Sequence, residues 1–224
     1  MTASHVHFDF ARLTQREKYK VLIGTVMPRP IAFVTTVSPE GIANAGAFSF
    51  FNILTHDPAI LAIGIENYED MRLKDTARNI RETGEFTVHI ADDALVAQME
   101  ICSIKFGPEV DELATAGLVT VPGTMVKSPR IVAAPAALEC RRFTTMEVGR
   151  ARQIVMGEVV GAFVREDAVD ATTLHIDPGR IDAIGRLAAH GYARTRDRYD
   201  LKTPTVAEWE EHPAGGPAQR RATA

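Results

Sequence analysis

The stretch from Pro28 to Asn52, PRPIAFVTTVSPEGIANAGAFSFFN, constrains the fold of this chain more than any other segment. Residues 31–37 are mostly apolar and β-branched, which predicts a strand. Residues 38–41 (SPEG) are typical of a turn, because proline fixes one φ at about −65° and glycine permits a positive φ. Residues 42–51 then predict the return strand of a hairpin. Small residues in this second strand indicate that something approaches its backbone closely.

The same hairpin carries hydrogen-bonding side chains at Thr35, Thr36, Asn44 and Ser49. A hairpin with a small inner edge and these polar groups suits a flat polar ligand. Because side chains alternate along a strand, Phe48 and Phe50 are predicted on one face, with Ser49 and Phe51 on the other. One face can then belong to the core while the other faces the ligand.

Further along the chain, apolar patterning predicts more strands than helices. Residues 59–65 predict a strand buried on both faces. Three further strands are predicted over 86–90, 136–148 and 153–165, and helices over 75–83, 94–104 and 110–116. Asp75 is placed to cap the first of these helices, and Gly84 to end it. Apolar residues surround much of the 94–104 helix, which would fit a dimer contact.

Six or more mostly antiparallel strands with few helices predict a mainly β fold, a barrel with helical additions. No βαβ alternation is visible, which disfavours a Rossmann or flavodoxin-like sheet. The length of 224 residues favours one domain, with an N-terminal extension over 1–20, the domain over 21–202 and a disordered tail over 203–224.

Composition narrows the classes of partner and the compartment. The net charge of −4 gives no sign of a nucleic-acid binder. Apolar runs are much shorter than the ~20 residues of a membrane helix, and no secretory signal is visible, so a cytoplasmic protein is expected. Cys102 and Cys140 are expected as reduced thiols, and no metal site is predicted.

Several motifs together resemble the flavin reductase-like family, in the branch of flavoredoxin and nitrilotriacetate monooxygenase component B. They are PRPIAFVTT, AGAFSFFN, Asp57-Pro58, Lys74-Asp75-Thr76 and ARNIRETGEF, in this order and spacing. The resemblance is dense over residues 20–90 and extends, mainly in strand placement, to about 195. It implies an FMN-binding split β-barrel of antiparallel Greek-key strands with a few peripheral helices, and a homodimer with the flavin at its interface.

The resemblance also implies where the flavin is held. Lys74-Asp75-Thr76 begin a predicted helix, where free N–H groups and the helix dipole favour a phosphate. Alternatively, these residues have only a structural role, with Asp75 as the N-cap of the helix and Lys74 as a solvent-exposed charge. Cofactor contacts are expected at Arg29, Thr35, Thr36, Asn44, Ser49, Phe50, Lys74, Asp75 and Thr76. Arg29 would add a second cation beside the phosphate, and Asn44 with residues 48–51 would line the isoalloxazine ring.

A second substrate is expected near the end of the barrel. Arg186, His190 and Tyr192 resemble an arginine and glycine-tyrosine segment of many relatives, although residues 188–191 are AAHG where relatives more often show consecutive glycines. No catalytic residue is assigned with certainty. Relatives that use NAD(P)H often have a histidine at the start of a strand that here begins Arg152-Gln153. No GxGxxG motif is present, so NAD(P)H would bind without a Rossmann site.

The expected chemistry is hydride transfer to FMN, which is the cofactor's own chemistry and needs no general base. The favoured hypothesis is an NAD(P)H:flavin reductase that supplies reduced FMN to a partner monooxygenase. The alternatives are a flavoredoxin-like FMN electron carrier with a redox-protein partner, and a terminal flavoenzyme acting on one organic substrate. A barrel that binds another group, such as haem, is a fourth possibility, and the sequence does not separate FMN from FAD.

Overall fold

The structure, a computed structural model, describes residues 4–211 and 221–222. In chain order its strands are β1 (Arg29–Pro30), β2 (Ala32–Val37), β3 (Ala43–Phe48), β4 (Phe51–His56), β5 (Ala59–Glu66), β6 (Glu85–Ile90), β7 (Thr120–Val121), β8 (Arg130–Ile131), β9 (Ala136–Val148), β10 (Arg152–Val164), β11 (Val169–Asp170), β12 (His175–Ile176), β13 (Ile184–Arg186), β14 (Tyr192–Arg194), β15 (Tyr199–Asp200) and β16 (Arg221–Ala222). The helices are α1 (Gln15–Thr25), α2 (Asp75–Thr83), α3 (Val96–Ile101), α4 (Glu112–Thr115), α5 (Pro178–Ile181) and α6 (Val206–Glu211).

Seven strands form the main sheet, in the order β3-β2-β6-β9-β10-β5-β4. Every neighbouring pair in it is antiparallel, which confirms the mainly antiparallel β fold predicted from the strand pattern. β3 and β4 follow each other in the chain but lie at opposite edges of the sheet. The sheet therefore curls until its two edges meet at the connection Ser49-Phe50, which we call the seam. The Gly64 N–H donates to the Phe50 carbonyl (2.7 Å) and ties the seam to β5.

The core has two parts, on opposite faces of β2 and β3. α2 packs against β2, β3 and β6 on one face, where Val34, Phe86 and Ile80 are fully buried. α3 and α4 pack against β3 on the other face, around Phe33 and Met99. β2 is therefore buried on both sides. β5 is not, contrary to prediction, because alternate residues enter the core while Ala62 and Gly64 stay half-buried on its other face.

The predicted return strand 42–51 is interrupted at the seam. β3 ends at Phe48 and β4 begins at Phe51, so strict alternation does not run through these four residues. Phe48 and Phe51 both pack against the first core part, whereas Phe50 is 46% exposed. The predicted pairing of Phe48 with Phe50 on one face is therefore wrong.

The helix predicted over 94–104 is shorter than expected. A 3-10 turn over Asp93–Leu95, capped by the Asp92 side chain, leads into α3. Leu95, Met99 and Cys102 are buried against the chain's own second core part. Intrachain packing therefore accounts for these apolar positions, and a dimer contact at this helix stays a prediction.

α2 spans the predicted residues and ends before Gly84, which has a φ of +74°. The predicted cap is wrong, because Lys74 occupies the N-cap position and no side chain caps the helix. Asp75 already has helical geometry and instead pairs with Arg78 across one turn (2.7 Å). The first turn of α2 therefore keeps N–H groups that no side-chain cap satisfies.

At the start of the chain, Thr14 and Glu17 form a capping box that begins α1, and this helix runs across position 20, where the expected extension ends. In the expected tail, α6 lies within the described residues, while 212–220 and 223–224 lie outside them. No helix of the described ranges is long and apolar enough to cross a membrane.

Candidate functional site

A cleft of two adjoining cavities runs along the seam, and both cavities are lined by Ala47, Phe48 and Lys74. The first, the polar cavity, has a volume of about 120 Å³ and is bounded by β3, the start of α2 and the segment after α3. The second, the aromatic cavity, has a volume of about 360 Å³ and is bounded by α1, the seam, β5 and β10. Together they lie in the range of about 300–1,000 Å³ typical of small-molecule sites.

A larger cavity of about 830 Å³ adjoins the polar cavity through Tyr68, Asp75 and Lys105. Its walls carry charged side chains of both signs, including Arg72 and Glu82. Its described lining includes the rings of Tyr68 and Phe106 but no buried polar side chain, so the cleft at the seam is the stronger candidate site.

The start of α2 faces the polar cavity, and its uncapped N–H groups and the Lys74 ammonium make this end of the cavity electropositive. Its first turn has no side-chain cap, and Lys74, Asp75 and Thr76 all line the cavity. The Lys74 ammonium lies 5.8 Å from the centroid of the Phe48 ring. Burial lowers the pKa of Lys74, because the charged ammonium loses solvent there. An anion bound at this point would receive hydrogen bonds from the helix and would compensate that buried charge.

Behind this helix start lies a buried hydrogen-bond network centred on Asn44. The Asn44 Oδ1 accepts from the hydroxyls of Thr76 (2.9 Å) and Thr36 (3.1 Å), and Asn79 donates to the Thr36 hydroxyl (3.0 Å). The Asn44 amide nitrogen donates to the Glu112 carboxylate (2.5 Å). All five side chains are buried. The network therefore fixes β3 against the first turn of α2.

Glu112 closes this network from the opposite side of β3. Its Oε2 also accepts from the backbone N–H of Ala45 (2.7 Å), which belongs to an edge strand. Glu112 is 7% exposed, and burial raises its pKa to about 7 although the two hydrogen bonds to Ala45 and Asn44 oppose the shift. The carboxylate also lines the polar cavity. It thus titrates near neutral pH beside the proposed anion position.

The small residues of β3 are explained by the chain's own packing. A Cβ on Gly46 would lie 3.0 Å from the Thr76 hydroxyl and 3.1 Å from the Phe48 ring. On the other face, Ala43, Ala45 and Ala47 pack against the second core part. The close approach predicted from these residues is therefore made by α2, α3 and α4, and the same backbone also lines the polar cavity.

The aromatic cavity is bounded by rings on two sides. Tyr19 from α1 and Phe50 from the seam have ring centroids 6.4 Å apart. Gln153 forms part of the wall, is 2% exposed, and donates through its amide to Asn67 (3.3 Å). Its carbonyl Oε1 has no hydrogen-bond partner among the described residues. A buried carbonyl without a partner costs free energy, so a ligand with an N–H or O–H donor would be favoured here if the Gln153 side chain turned towards the cavity.

Arg29 lies behind the cleft rather than in it. Its guanidinium is buried and donates to the carbonyls of Ile23 (2.8 Å), Val26 (2.9 Å) and Leu187 (3.1 Å), and to the Ser49 hydroxyl (3.3 Å). These bonds hold the end of α1 and the seam to the barrel. All three guanidinium nitrogens already donate to these partners, so this geometry does not support the predicted contact between Arg29 and a phosphate.

The remaining predicted cofactor residues divide into two groups. Ser49 and Phe50 line the aromatic cavity. Thr35 does not reach either cavity, because its hydroxyl donates to the Pro129 carbonyl (2.6 Å) on another side of the barrel. Thr36 acts only through the network behind Asn44.

Arg186, His190 and Tyr192 are brought together away from the cleft. Arg186 and Tyr192 are paired across β13 and β14, with the guanidinium carbon 4.5 Å from the Tyr192 ring centroid. Both contact Glu100 on α3, Arg186 through an ion pair of 3.1 Å and Tyr192 through its hydroxyl. His190 lies exposed in the intervening loop. None of the three lines the polar or aromatic cavity.

Sequence reasoning missed Glu112 and Tyr19 and assigned no contact to Gln153. Glu112 is 68 residues from Asn44 in the chain, and no motif connects them. Tyr19 lies in the segment expected to be a mere extension. Gln153 was visible only as a departure from the histidine of relatives, and its unpaired carbonyl becomes evident only in the packed structure.

Comparisons with known proteins cover most of the chain. The family model described as "Flavin reductase like domain" matches residues 23–185. A relative from Deinococcus radiodurans, described as an uncharacterized protein, is 41% identical over 93% of this chain and 94% of its own length.

Among solved structures, the 2-nitrobenzoate 2-nitroreductase NbaA of Pseudomonas fluorescens is 34% identical with a TM-score of 0.83, over 90% of this chain and 98% of that one. Nitrilotriacetate monooxygenase component B of Bacillus cereus is 29% identical with a TM-score of 0.85, over 89% and 100%. Flavoredoxin of Desulfovibrio vulgaris (Miyazaki F), 23% identical with a TM-score of 0.69 over 81% and 94%, is similar in fold alone.

Proposed function

The chain belongs to the flavin reductase-like domain family, with its split β-barrel fold, and from that membership we propose that it binds FMN in the cleft at the seam and acts as an oxidoreductase through it. One observation carries the proposal. The uncapped start of α2, with Lys74 beside it, opens into the same cleft as an aromatic cavity. A phosphate and a flat ring joined by a flexible chain need these two environments side by side.

The residues present fit this cofactor. Lys74, Thr76 and the N–H groups of the first α2 turn would hold the phosphate in the polar cavity. Phe48, Phe50 and Tyr19 would pack on the ring in the aromatic cavity, and the Gln153 carbonyl would accept a hydrogen bond from a ring N–H. FMN supplies the hydride and electron chemistry, while the protein orients the ring and excludes water.

The first activity proposed is that of an NAD(P)H:flavin reductase that supplies reduced FMN to a partner monooxygenase. The similarity to nitrilotriacetate monooxygenase component B, at 29% identity over 89% of this chain, supports it. The nicotinamide would approach the ring from the open side of the aromatic cavity, without a Rossmann site.

A second activity is favoured by two specific observations. The similarity to a 2-nitrobenzoate 2-nitroreductase, at 34% identity over 90% of the chain, supports a terminal flavoenzyme that reduces one aromatic substrate. The unpaired Gln153 carbonyl and the rings that line the aromatic cavity would suit such a substrate. A flavoredoxin-like electron carrier stays a further alternative.

We also propose a homodimer with the cleft at its interface. Exposed apolar side chains lie on α1, directly after α1 and at the seam, and they are Tyr19, Leu22, Val26, Met27 and Phe50, of which Tyr19 and Phe50 line the aromatic cavity. Several exposed apolar side chains on one short stretch of chain, beside the Tyr19–Phe50 ring contact, are typical of a protein interface. A second subunit seated here would add a further wall to the aromatic cavity and leave one side open to the nicotinamide.

The test records the visible spectrum of the protein before and after FMN and a nicotinamide nucleotide are added. The protein is purified without flavin, its visible spectrum is recorded before and after FMN, and NADH or NADPH is added without oxygen. Bleaching by a nucleotide supports a reductase, and faster nucleotide oxidation with a nitroaromatic acid than with free FMN supports the terminal enzyme. A yellow protein that stays oxidised supports a carrier. A protein that fails to bind FMN would overturn the assignment.

A further inference from the structure

Glu112 is an acidic group in an unexpected place for a phosphate site. It lines the polar cavity, and a single amide, that of Asn44, connects its carboxylate to the Thr76 hydroxyl at the start of α2. Two short hydrogen bonds thus connect the carboxylate to the helix turn where the phosphate is proposed. Because both ends of this connection are buried, charges at its two ends interact with little screening.

We propose that binding of the FMN phosphate is coupled to the uptake of one proton by Glu112, so that the affinity for FMN falls as Glu112 ionises. The inference rests on the proposed function and deepens it. A second negative charge near the ionised carboxylate raises the energy of the complex. Protonation of Glu112 removes that repulsion, and thermodynamic linkage requires that the two events favour each other.

The hydrogen bonds at Glu112 permit both protonation states. Asn44 and Ala45 both donate to the same carboxylate oxygen, Oε2. A proton on the other oxygen, Oε1, leaves these two bonds in place, so protonation does not break the network. Burial already raises the pKa of Glu112 to about 7, which puts the change of state at neutral pH.

The other groups that face Glu112 do not replace it in this role. They are Asp111 at the start of α4, Asp75 on α2, Cys102 after α3, Tyr68 before α2, and Lys74 and Lys105 across the polar cavity. Cys102 and Tyr68 stay neutral near pH 7, because burial raises the pKa of each above its ordinary value. Asp75 is paired with Arg78. Burial lowers the pKa of Lys74, so a bound phosphate would also favour its protonation, but Lys74 is common to the wild type and to a variant that lacks only the Glu112 carboxylate.

The phosphate also titrates, with a second pKa of about 6. Its ionisation changes the pH dependence of FMN affinity in the direction opposite to that of Glu112. Ionisation of the phosphate strengthens binding as the pH rises, whereas ionisation of Glu112 weakens it. A variant without the carboxylate keeps the first effect and loses the second. The ratio of the two dissociation constants therefore isolates Glu112.

The experiment compares the full-length protein with Glu112→Gln between pH 6 and pH 8.5, using FMN and riboflavin as probes. The ratio of the wild-type to the variant dissociation constant for FMN is expected to rise from about 1 at pH 6 to about tenfold at pH 8.5. The ratio for riboflavin, which lacks the phosphate, is expected to stay flat. Glu82→Gln, the same charge change at the exposed far end of α2, should behave like the wild type.

A second measurement does not depend on the folding of the variant. Calorimetry of the wild-type protein at pH 8 in two buffers of different ionisation enthalpy counts the protons taken up with FMN. Free FMN phosphate is then almost fully ionised, so uptake belongs to the protein, and uptake with FMN should exceed that with riboflavin.

Three outcomes would overturn the inference. A ratio independent of pH, or an equal effect on riboflavin, would show that Glu112 does not sense the phosphate. FMN binding without proton uptake at pH 8 would do the same while leaving the proposed function intact. If neither protein binds FMN at any pH, the proposed function fails and the inference fails with it.

Discussion

His89 is a fully buried polar residue whose two ring nitrogens are both satisfied. Nδ1 lies 3.0 Å from the Phe33 carbonyl, and Nε2 lies 3.0 Å from the backbone N–H of Ile131. Only the neutral ring with its proton on Nδ1 serves both partners. Burial lowers the pKa of His89 to about 4, because the charged ring would lose solvent without gaining a counter-ion.

We therefore expect His89 to make stability depend on pH. Its pKa is about 6.5 in the unfolded chain and about 4 in the folded one, so its contribution is fully present above pH 6.5 and is lost as the pH falls towards 4. The loss amounts to about 3 kcal/mol of unfolding free energy. Denaturant unfolding at pH 7.5, 6 and 5 should show the gap between wild type and His89→Gln shrinking. A constant gap would contradict this account.

Lys74 and Thr76 carry the prediction for the phosphate. Replacing both by alanine should weaken FMN binding at least tenfold, about 1.4 kcal/mol, because both residues line the polar cavity and the Thr76 hydroxyl also ties the first turn of α2 to Asn44. Fluorescence titration measures this, and riboflavin binding should change much less. Lys127→Ala removes an exposed lysine outside the cleft and serves as the control. Unchanged FMN affinity in the double variant would place the phosphate elsewhere.

At the residue scale, the sequence predicts a grouping of side chains only where the chemistry is local. Lys74, Asp75 and Thr76 lie together because they are neighbours in the chain, and Asn44 was visible as a polar group on a strand of small residues. Glu112 could not be found in this way. Its role depends on a contact across 68 residues, which the folded chain creates and no local pattern encodes.

At the scale of elements, Arg29 connects α1 to the barrel. Its bonds to the Ile23 and Val26 carbonyls hold the end of the helix, and its bond to Ser49 holds the seam. Since Tyr19 on α1 forms one wall of the aromatic cavity, the position of that wall depends on this one guanidinium.

Arg29→Met should therefore lower the unfolding free energy by about 2–3 kcal/mol, since buried carbonyls lose a charged donor. FMN and riboflavin should weaken together, because the change displaces the wall at Tyr19. A loss confined to FMN would instead favour the phosphate contact predicted from the sequence. Arg12→Met, at an exposed ion pair with Asp9, should change stability by no more than about 0.5 kcal/mol and is measured alongside by urea unfolding.

Element boundaries were predictable where local signals are strong. α2 has an apolar face over 75–83 and Gly84 directly after it, and the structure places its bounds at those residues. The strand over 42–51 was predicted as continuous, since nothing in SFFN breaks a strand. The break arises from closure of the sheet, which forces a change of direction at Ser49-Phe50. That is a property of the whole barrel rather than of those residues.

At the scale of the whole molecule, the proposed homodimer yields a prediction. Light scattering should give a mass of twice 24.5 kDa, and Leu22→Glu should shift it towards the single chain by putting a charge into the apolar surface beside the aromatic cavity. In this variant, FMN affinity should fall as the fraction of dimer falls. Leu174→Glu, at an exposed leucine on the β11–β12 hairpin, should leave both unchanged. A monomeric wild type that binds FMN would exclude a shared site.

The seam has a consequence for handling the protein. Edge strands carry backbone groups that pair readily with other chains, and here β3 and β4 reach the seam beside the cleft. A cofactor bound in this cleft would contact both edge strands and stabilise their closure at the seam. Without the cofactor, the barrel would have fewer contacts that keep these edges together. The riboflavin supply of the expression host should then govern the yield of dispersed protein as well as its colour.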